Sequence, residues 1–380
     1  MKRHIIILSL LWAVIHFTLY LYYGVREFED SKYYEREAMF LLEQGALNDA
    51  DYFYFLPIAI LAFFLETTGS TLSFIVFQIL FSGLACLALY NAASRLFDNI
   101  AGFFSALIFL LWVDNLHWNV TVMTESLFCS LTILLLYLLI NYNRKVQNLL
   151  AVLLISALLL LTRPTGVLMV LGVALYFFIH FSIELNQRRI LKSLLITVGV
   201  AGGFLIIYSV LNSYEFVDQH RKGNVITYAD LADDSTDHKA FIQLDASDVV
   251  LPDKGSNAVK FVSFVFSNPV FFFKSAALKI FYLITGIRPY YSTLHNAFTL
   301  CWIVVVYILF YLGIKACASR PIIWFSLSVI IFNCLLIGLT SIDWDNRFFI
   351  PMEAMIVVMA GGGAARFRNN LRPYYSKLFP

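Results

Sequence analysis

Ten apolar stretches recur along the chain, most of them close to the twenty residues that a helix needs to cross a bilayer. They cover 5–24, 70–93, 100–118, 124–142, 147–161, 166–183, 190–210, 295–315, 321–341 and 349–365. Inside hydrocarbon the backbone must satisfy its own hydrogen bonds, so apolar runs of this length are restricted to helices. The residues are 60% hydrophobic and 14% charged, against about 25% charged in a soluble domain. Mean hydropathy is +0.76. The chain is therefore expected to be an all-α polytopic membrane protein with about ten transmembrane helices. The run "FYFLPIAILAFFLE" (53–66) is short and has Pro57 near its start, so an interfacial or re-entrant helix is expected there.

Charge placement tests the count. Lys2 and Arg3 precede the first run, which has no small-residue cleavage site after it and reads as an uncleaved signal anchor. Arg95, Arg144 with Lys145, Arg188 with Arg189 and Lys192, and Lys315 with Arg320 fall on every second connection. Arg366, Arg368, Arg372 and Lys377 follow the last run. Ten spans place all of these groups and both termini in the cytoplasm, whereas counting 53–66 as a span would put the later clusters outside. The outer face then holds 25–69, the turn Trp118–Thr124, Arg163-Pro164, the long segment 212–294 and "DWDNRFF". The second half of that long segment, rich in Phe and Tyr, suits an interfacial helix with Lys274 and Lys279 reaching water or lipid phosphate. No repeat or linker divides the chain, so 1–380 reads as one membrane domain.

A net charge of +2 gives no reason to expect nucleic acid as a partner. The five cysteines lie in apolar runs and read as small core residues; the seven histidines form no metal-ligand pair. The chemistry concentrates elsewhere. "REFEDSKYYEREAMFLLEQG" (26–45) crowds Glu27, Glu29 and Asp30 against Tyr33, Tyr34 and Glu37 directly behind the first span. Neighbouring carboxylates hold one another more basic than a free carboxyl, and the tyrosines suit a sugar ring or prenyl chain. Ordinary solvated loop carboxylates are the plain alternative. Glu125 opens an otherwise apolar span in "TESLFCSLTILLLYLL", where an ionisable group is either functional or a helix-terminal charge, with Thr121 or Thr124 as caps. Asp114 and His117 lie in the same outer turn. Arg163 in "LLLLTRPTGVLMV" and Arg347 before the last span offer phosphate-matching guanidinium forks at headgroup depth, or act as aqueous anchors. Arg221, Lys222, Lys254 and Arg288 are further outer cations. "GGG" (361–363) reads as helix packing.

Taken in order, these motifs resemble the GT-C superfamily of membrane glycosyltransferases, in the branch of the protein O-mannosyltransferases and the aminoarabinose transferase. "EDSKYYEREAMFLLEQG" resembles the family's first outer loop and "YFLPIAILAFFLETTG" its proline-containing juxtamembrane helix. "TESLFCSLTILLLYLL" resembles its Glu-bearing fourth span. "LLLLTRPTGVLMV" resembles its Arg-Pro-Thr-Gly hairpin, and "DNRFFIPMEAMIVVMAGGG" its final Arg-aromatic motif. The resemblance implies a GT-C-like bundle with juxtamembrane helices and an elaborated extracytoplasmic face. It implies inverting transfer of a sugar from a polyprenyl-phosphate carrier to a lipid, glycan or protein acceptor, in a bacterial or archaeal plasma membrane. Asp30 is then the catalytic base. Arg163 and Arg347 meet the phosphate, while Glu125, Tyr33 and Tyr34 orient sugar or acceptor. Family members often pair the Asp with a second acidic residue, a place that Glu29, Glu27 or Asp49 can fill. No cofactor is expected, and a divalent cation stays open. Membrane lipids are the remaining partner. A transporter or flippase of lipid-linked saccharides is the rival, but it calls for polar groups near the bilayer midplane on several spans. Here the charges collect at span ends. A membrane subunit without activity is a third possibility.

Overall fold

The computed structural model describes residues 2–48, 52–184, 208, 211–212, 217, 220, 223–226, 242–340, 342 and 345–378, with side chains through 369. The expected span 190–210 lies outside these residues, as do Asp49, Arg188, Arg189, Lys192, Arg221 and Lys222. The chain is an all-α polytopic membrane protein. Its helices are α1 (Lys2–Tyr23), α2 (Glu29–Gln44), α3 (Phe55–Thr68), α4 (Thr71–Leu96), α5 (Asn99–Leu111) and α6 (Val113–Leu116). There follow α7 (Glu125–Ile140), α8 (Val146–Leu160), α9 (Gly166–Glu184), α10 (Asn257–Ser267) and α11 (Pro269–Thr285), then α12 (Thr293–Ala316), α13 (Arg320–Leu339) and α14 (Ile350–Leu378).

Among the described residues five stretches are long and apolar enough to cross a membrane: Lys2–Tyr23, Thr71–Leu96, Thr293–Ala316, Arg320–Leu339 and Arg347–Asn369. Two bent pairs and four shorter apolar helices, α3, α7, α8 and α9, are the other apolar helices among the described residues. The third expected span, 100–118, is not continuous: α5 stops at Leu111 and the chain turns by 67° into 113–120. The aromatic segment also departs from a single interfacial helix. It breaks between α10 and α11 with a bend of 102°, at Asn268-Pro269, where proline has no N–H to continue a helix. Asn268 locks the elbow by accepting from Val250 N–H (2.8 Å) and donating to Val250 O (2.8 Å).

Two compact units divide the chain, one from Met1–Val173, Val305–Val329 and Ile350–Pro380, the other from Ala174–Val304 and Ile330–Phe349. In the first unit α4, α5, α7 and α14 form the centre. α7 is apolar all round and is almost wholly buried, as a helix without a polar face must be. α1 exposes Ile6, Leu10, Val14, Phe17 and Leu21, a surface suited to lipid. In the second unit Phe261, Phe264 and Phe272 form an aromatic core. There Lys279, expected to reach water, is instead fully buried, with its ammonium donating to Thr340 O at 2.5 Å and 3.4 Å from His220 Nε2. Lys279 lies on the buried face of α11 with Phe272, Ser275 and Leu283, and Lys274 stays exposed.

The three glycines 361–363 give α14 its close approaches. A Cβ on Gly361 would lie 2.0 Å from Ser105 Oγ and 2.6 Å from Ala101 O; on Gly362 it would meet the Phe97 ring at 2.5 Å; on Gly363 it would lie 1.8 Å from Leu309 O. Small residues let helix backbones touch where no hydrophobic force acts between helices in lipid. Gly363→Ala is therefore expected to destabilise the protein by at least about 1–3 kcal/mol, the usual range for overpacking, in detergent unfolding. Gly338→Ala is the matched control. Its Cβ would meet nothing nearer than Ile280 Cδ1 at 3.4 Å, and its effect should be small. Equal losses would refute the packing role of the triplet. The five cysteines are free, and Cys301, expected in the core, is exposed.

Candidate active site

α1 ends at Gly24, whose φ of +65° suits glycine, and the chain leaves it as an extended residue. Arg26 pairs with Thr121 in an isolated bridge: Arg26 N–H donates to Val120 O (2.9 Å) and Val122 N–H to Arg26 O (3.0 Å). The end of the first span is thus fastened to the turn that opens α7. That turn, expected to face water, is buried from Trp118 to Glu125. Its polar groups are met internally. Gln78 Nε2 donates to Thr121 O (2.9 Å), and Asn119 joins His16 Nε2 (2.8 Å), Ser82 Oγ (3.0 Å) and Ser126 Oγ (2.5 Å). His16 Nδ1 lies 2.8 Å from Trp12 O, so the ring is held as the neutral Nδ1–H tautomer, with Nε2 accepting from Asn119.

α2 begins at Glu29. Ser31 Oγ accepts from Phe28 N–H (2.8 Å), and Glu29 and Asp30 occupy the first turn, where the helix dipole favours carboxylates. Gly45, with φ of +71°, closes the helix. The buried face of α2 carries Ser31, Tyr34, Glu37 and Ala38 and packs on α3. Asp30 is half-buried one turn before Tyr34. Glu29 is exposed and pairs with Lys32 at 3.3 Å. The Tyr33 ring lies 5.5 Å from the Tyr34 ring and 5.5 Å from the Arg36 guanidinium. Tyr34 also meets Tyr54 at 5.6 Å. Glu37, fully buried, accepts from Asn48 N–H at 2.9 Å and so holds the end of the loop that follows α2.

Arg163 and Glu125 form a buried ion pair, Nη1 donating to Oε1, with side-chain exposures of 7% and 1%. Glu125 is the first residue of α7. Thr124 precedes it without capping the helix, and its hydroxyl instead donates to Glu125 Oε2 at 3.4 Å. Arg163 sits in the tight turn between α8 and α9, where a Cβ on Gly166 would lie 2.3 Å from Leu159 O, so the turn needs glycine. Leu56 N–H donates to Leu161 O (2.8 Å), which fastens the start of α3 beside the same turn.

Tyr34 links these pieces. Burial is the main cause that holds its phenol well above the usual range, reinforced by Tyr54, Glu125 and Asp30 and opposed by Arg163. The phenol stays protonated at neutral pH and can donate a hydrogen bond. Glu35, on the same helix, is raised by partial burial and then by Glu27, so crowding among the first-loop carboxylates is felt there. Tyr34 thus touches Tyr54 and feels the charges of Asp30, one turn earlier, and of the Glu125–Arg163 pair. Tyr33 flanks Tyr34, and Glu29 stands on the exposed side.

Arg347 belongs to the second unit. It lies on a turn where Asn346 adopts φ of +64° and Asp345 Oδ1 accepts from Arg347 N–H (3.2 Å). Arg288, expected only as one more loop cation, is 1% exposed and braces this turn. Its Nη1 donates to Tyr282 O and Ile287 O (both 2.9 Å), and its Nη2 to Asn346 Oδ1 (3.2 Å). One residue was missed. Glu353, 1% exposed within α14, accepts from Cys129 Sγ (3.6 Å) beside Asn115. The signal was a lone carboxyl inside an apolar span.

Helices of this length define a polytopic membrane protein, with a buried ion pair in its first unit. Residues 53–212 match the model of the dolichyl-phosphate-mannose-protein mannosyltransferase family. No curated protein matches the chain at a significant level. The family match includes Tyr54, Glu125 and Arg163 and stops short of Asp30 and Arg347 on either side.

Proposed function

We propose that the chain is an inverting glycosyltransferase that moves a sugar from a polyprenyl monophosphate to a hydroxyl of a lipid, glycan or protein on the extracytoplasmic side. The observation that carries this reading is that buried Tyr34, one turn after Asp30 on α2, lies within electrostatic reach of the buried Glu125–Arg163 pair. A lipid-carried sugar presents its reactive bond at headgroup depth, and a base set there needs no soluble domain to reach it. The Asp30 carboxylate takes the proton of the acceptor hydroxyl as its oxygen bonds to the anomeric carbon. The bond from that carbon to the phosphate oxygen breaks on the opposite side, and prenyl phosphate leaves with the electron pair. Because the leaving group is already a phosphate, the protein has to supply a base and neutralise charge. Tyr34 donates to sugar or acceptor, with Tyr33 and Glu29 at the rim. Arg163 fixes Glu125 and lends the phosphate an attenuated charge, and Arg347 is kept as a carrier-binding cation on its place in the sequence before the last span.

The test is transfer by the purified protein in liposomes given a polyprenyl-phosphate sugar and a pool of acceptors. Transfer from a nucleotide sugar alone would overturn the donor assignment. Movement of labelled lipid-linked sugar across the bilayer without transfer would establish a transporter instead. Arg347→Ala is expected to weaken binding of the carrier about tenfold or more, as loss of a charged hydrogen bond does. Unchanged affinity would remove Arg347 from the site. Sidedness has its own test. On a cysteine-free background, Lys254→Cys should react with an impermeant maleimide in intact cells, and reaction only after permeabilisation would reverse the topology.

A further inference from the structure

We infer that Arg26 is a phosphate-binding residue of the first unit, set four residues before Asp30 and held ready by an aromatic clamp. The inference rests on the donor reading given above. The guanidinium carbon of Arg26 lies 5.0 Å from the Tyr23 ring centre and 4.5 Å from the Phe28 ring centre. Its backbone is fixed on both sides by the bonds to Val120 and Val122. A guanidinium carries its five N–H donors in its own plane, so ring faces restrain the group without consuming those donors.

Its charge also differs from that of Arg163. Arg163 is neutralised by Glu125, whereas Arg26 makes no ion pair with a carboxylate among the described residues. Glu29 is paired with Lys32. Arg26 is half-buried at the exit of an apolar span, the depth at which a lipid phosphate sits, and four positions before the proposed base. A cation packed against two aromatic rings, anchored through its backbone and left with an uncompensated charge is suited to the anionic phosphate of a lipid. Restraint lowers the entropy lost when the side chain engages its ligand.

Two lipids offer that phosphate: the prenyl carrier and an ordinary phospholipid headgroup. The experiment measures binding of polyprenyl monophosphate, of the corresponding prenyl alcohol and of phosphatidylglycerol to the protein in nanodiscs. It compares wild type with Arg26→Gln, Arg26→Lys and Phe28→Leu. Arg26→Gln should weaken prenyl phosphate about 10–100-fold and leave prenyl alcohol unchanged. Arg26→Lys should fall between, since the charge remains without the fork. Phe28→Leu, which keeps the charge and opens the clamp, should lose a few-fold and shows the effect in a chain with Arg26 intact. Equal binding of prenyl phosphate to wild type and Arg26→Gln would overturn the inference. So would a loss confined to phosphatidylglycerol, which makes Arg26 a headgroup anchor, or an equal loss of the alcohol, which makes the effect structural. Failure of wild type to bind prenyl phosphate would instead refute the donor reading itself.

Discussion

Asp30→Asn is expected to lower sugar transfer by about 10²–10⁴-fold, the usual contribution of a positioned general base. Carrier affinity should stay where it was. Asparagine keeps the size of the side chain and much of its hydrogen bonding, and position two of α2 tolerates it without loss of the helix start, because Ser31 Oγ makes the local bond to Phe28 N–H. The measurement is single-turnover transfer beside equilibrium binding of polyprenyl monophosphate. Transfer at the wild-type rate would take the base assignment away from Asp30 and pass it to Glu29, Glu27 or Glu125. Loss of transfer together with loss of binding would show that Asp30 shapes the site rather than acting on the acceptor.

Arg163→Ala has the largest expected effect on the fold. Glu125 is 1% exposed and would be left as a buried charge without its cation, a change that typically costs about 3–5 kcal/mol. The double variant Glu125→Leu/Arg163→Met removes both charges and fills much the same volume, so it should recover most of that stability. Transfer should stay low in both, because the double variant restores packing and not the charges beside Tyr34. Chemical unfolding in mixed micelles reads the first quantity and the transfer assay the second. If Arg163→Ala unfolds like wild type, the pair is not the anchor that holds the α8–α9 turn against the start of α7. If the double variant transfers sugar normally, Glu125 and Arg163 contribute to folding alone.

Much of the architecture was legible in the sequence because membrane helices are governed by length and hydropathy. α1, α4, α12 and α13 follow expected spans within a few residues, since nothing but a helix satisfies twenty apolar residues in hydrocarbon. The glycine triplet was equally legible as packing. The break at Trp112 was not, for no proline or glycine marks it and its apolar neighbours read as one run. The burial of Lys279 was hidden for a similar reason: interfacial and buried positions on an aromatic helix share one composition, and only the packing of α11 decides between them. The turn 118–125 looked like an aqueous connection, and tertiary contacts from α1 and α4 enclosed it.

The candidate site shows the same division. Sequence alone determined that carboxylates and tyrosines gather behind the first span, that Glu125 opens an apolar helix, and that Arg163 interrupts an apolar hairpin. These are properties of composition along the chain, and a charge next to a long apolar run is visible without coordinates. Only the tertiary structure decided that Arg163 neutralises Glu125, that Tyr34 lies within electrostatic reach of Asp30, Glu125 and Arg163, and that Arg288 braces the turn of Arg347. It also left Arg26 packed against two rings without a carboxylate partner among the described residues. Pairing of charges 38 positions apart, as for Arg163 and Glu125, depends on which helix ends meet, and helix ends meet through packing contacts that no local pattern encodes.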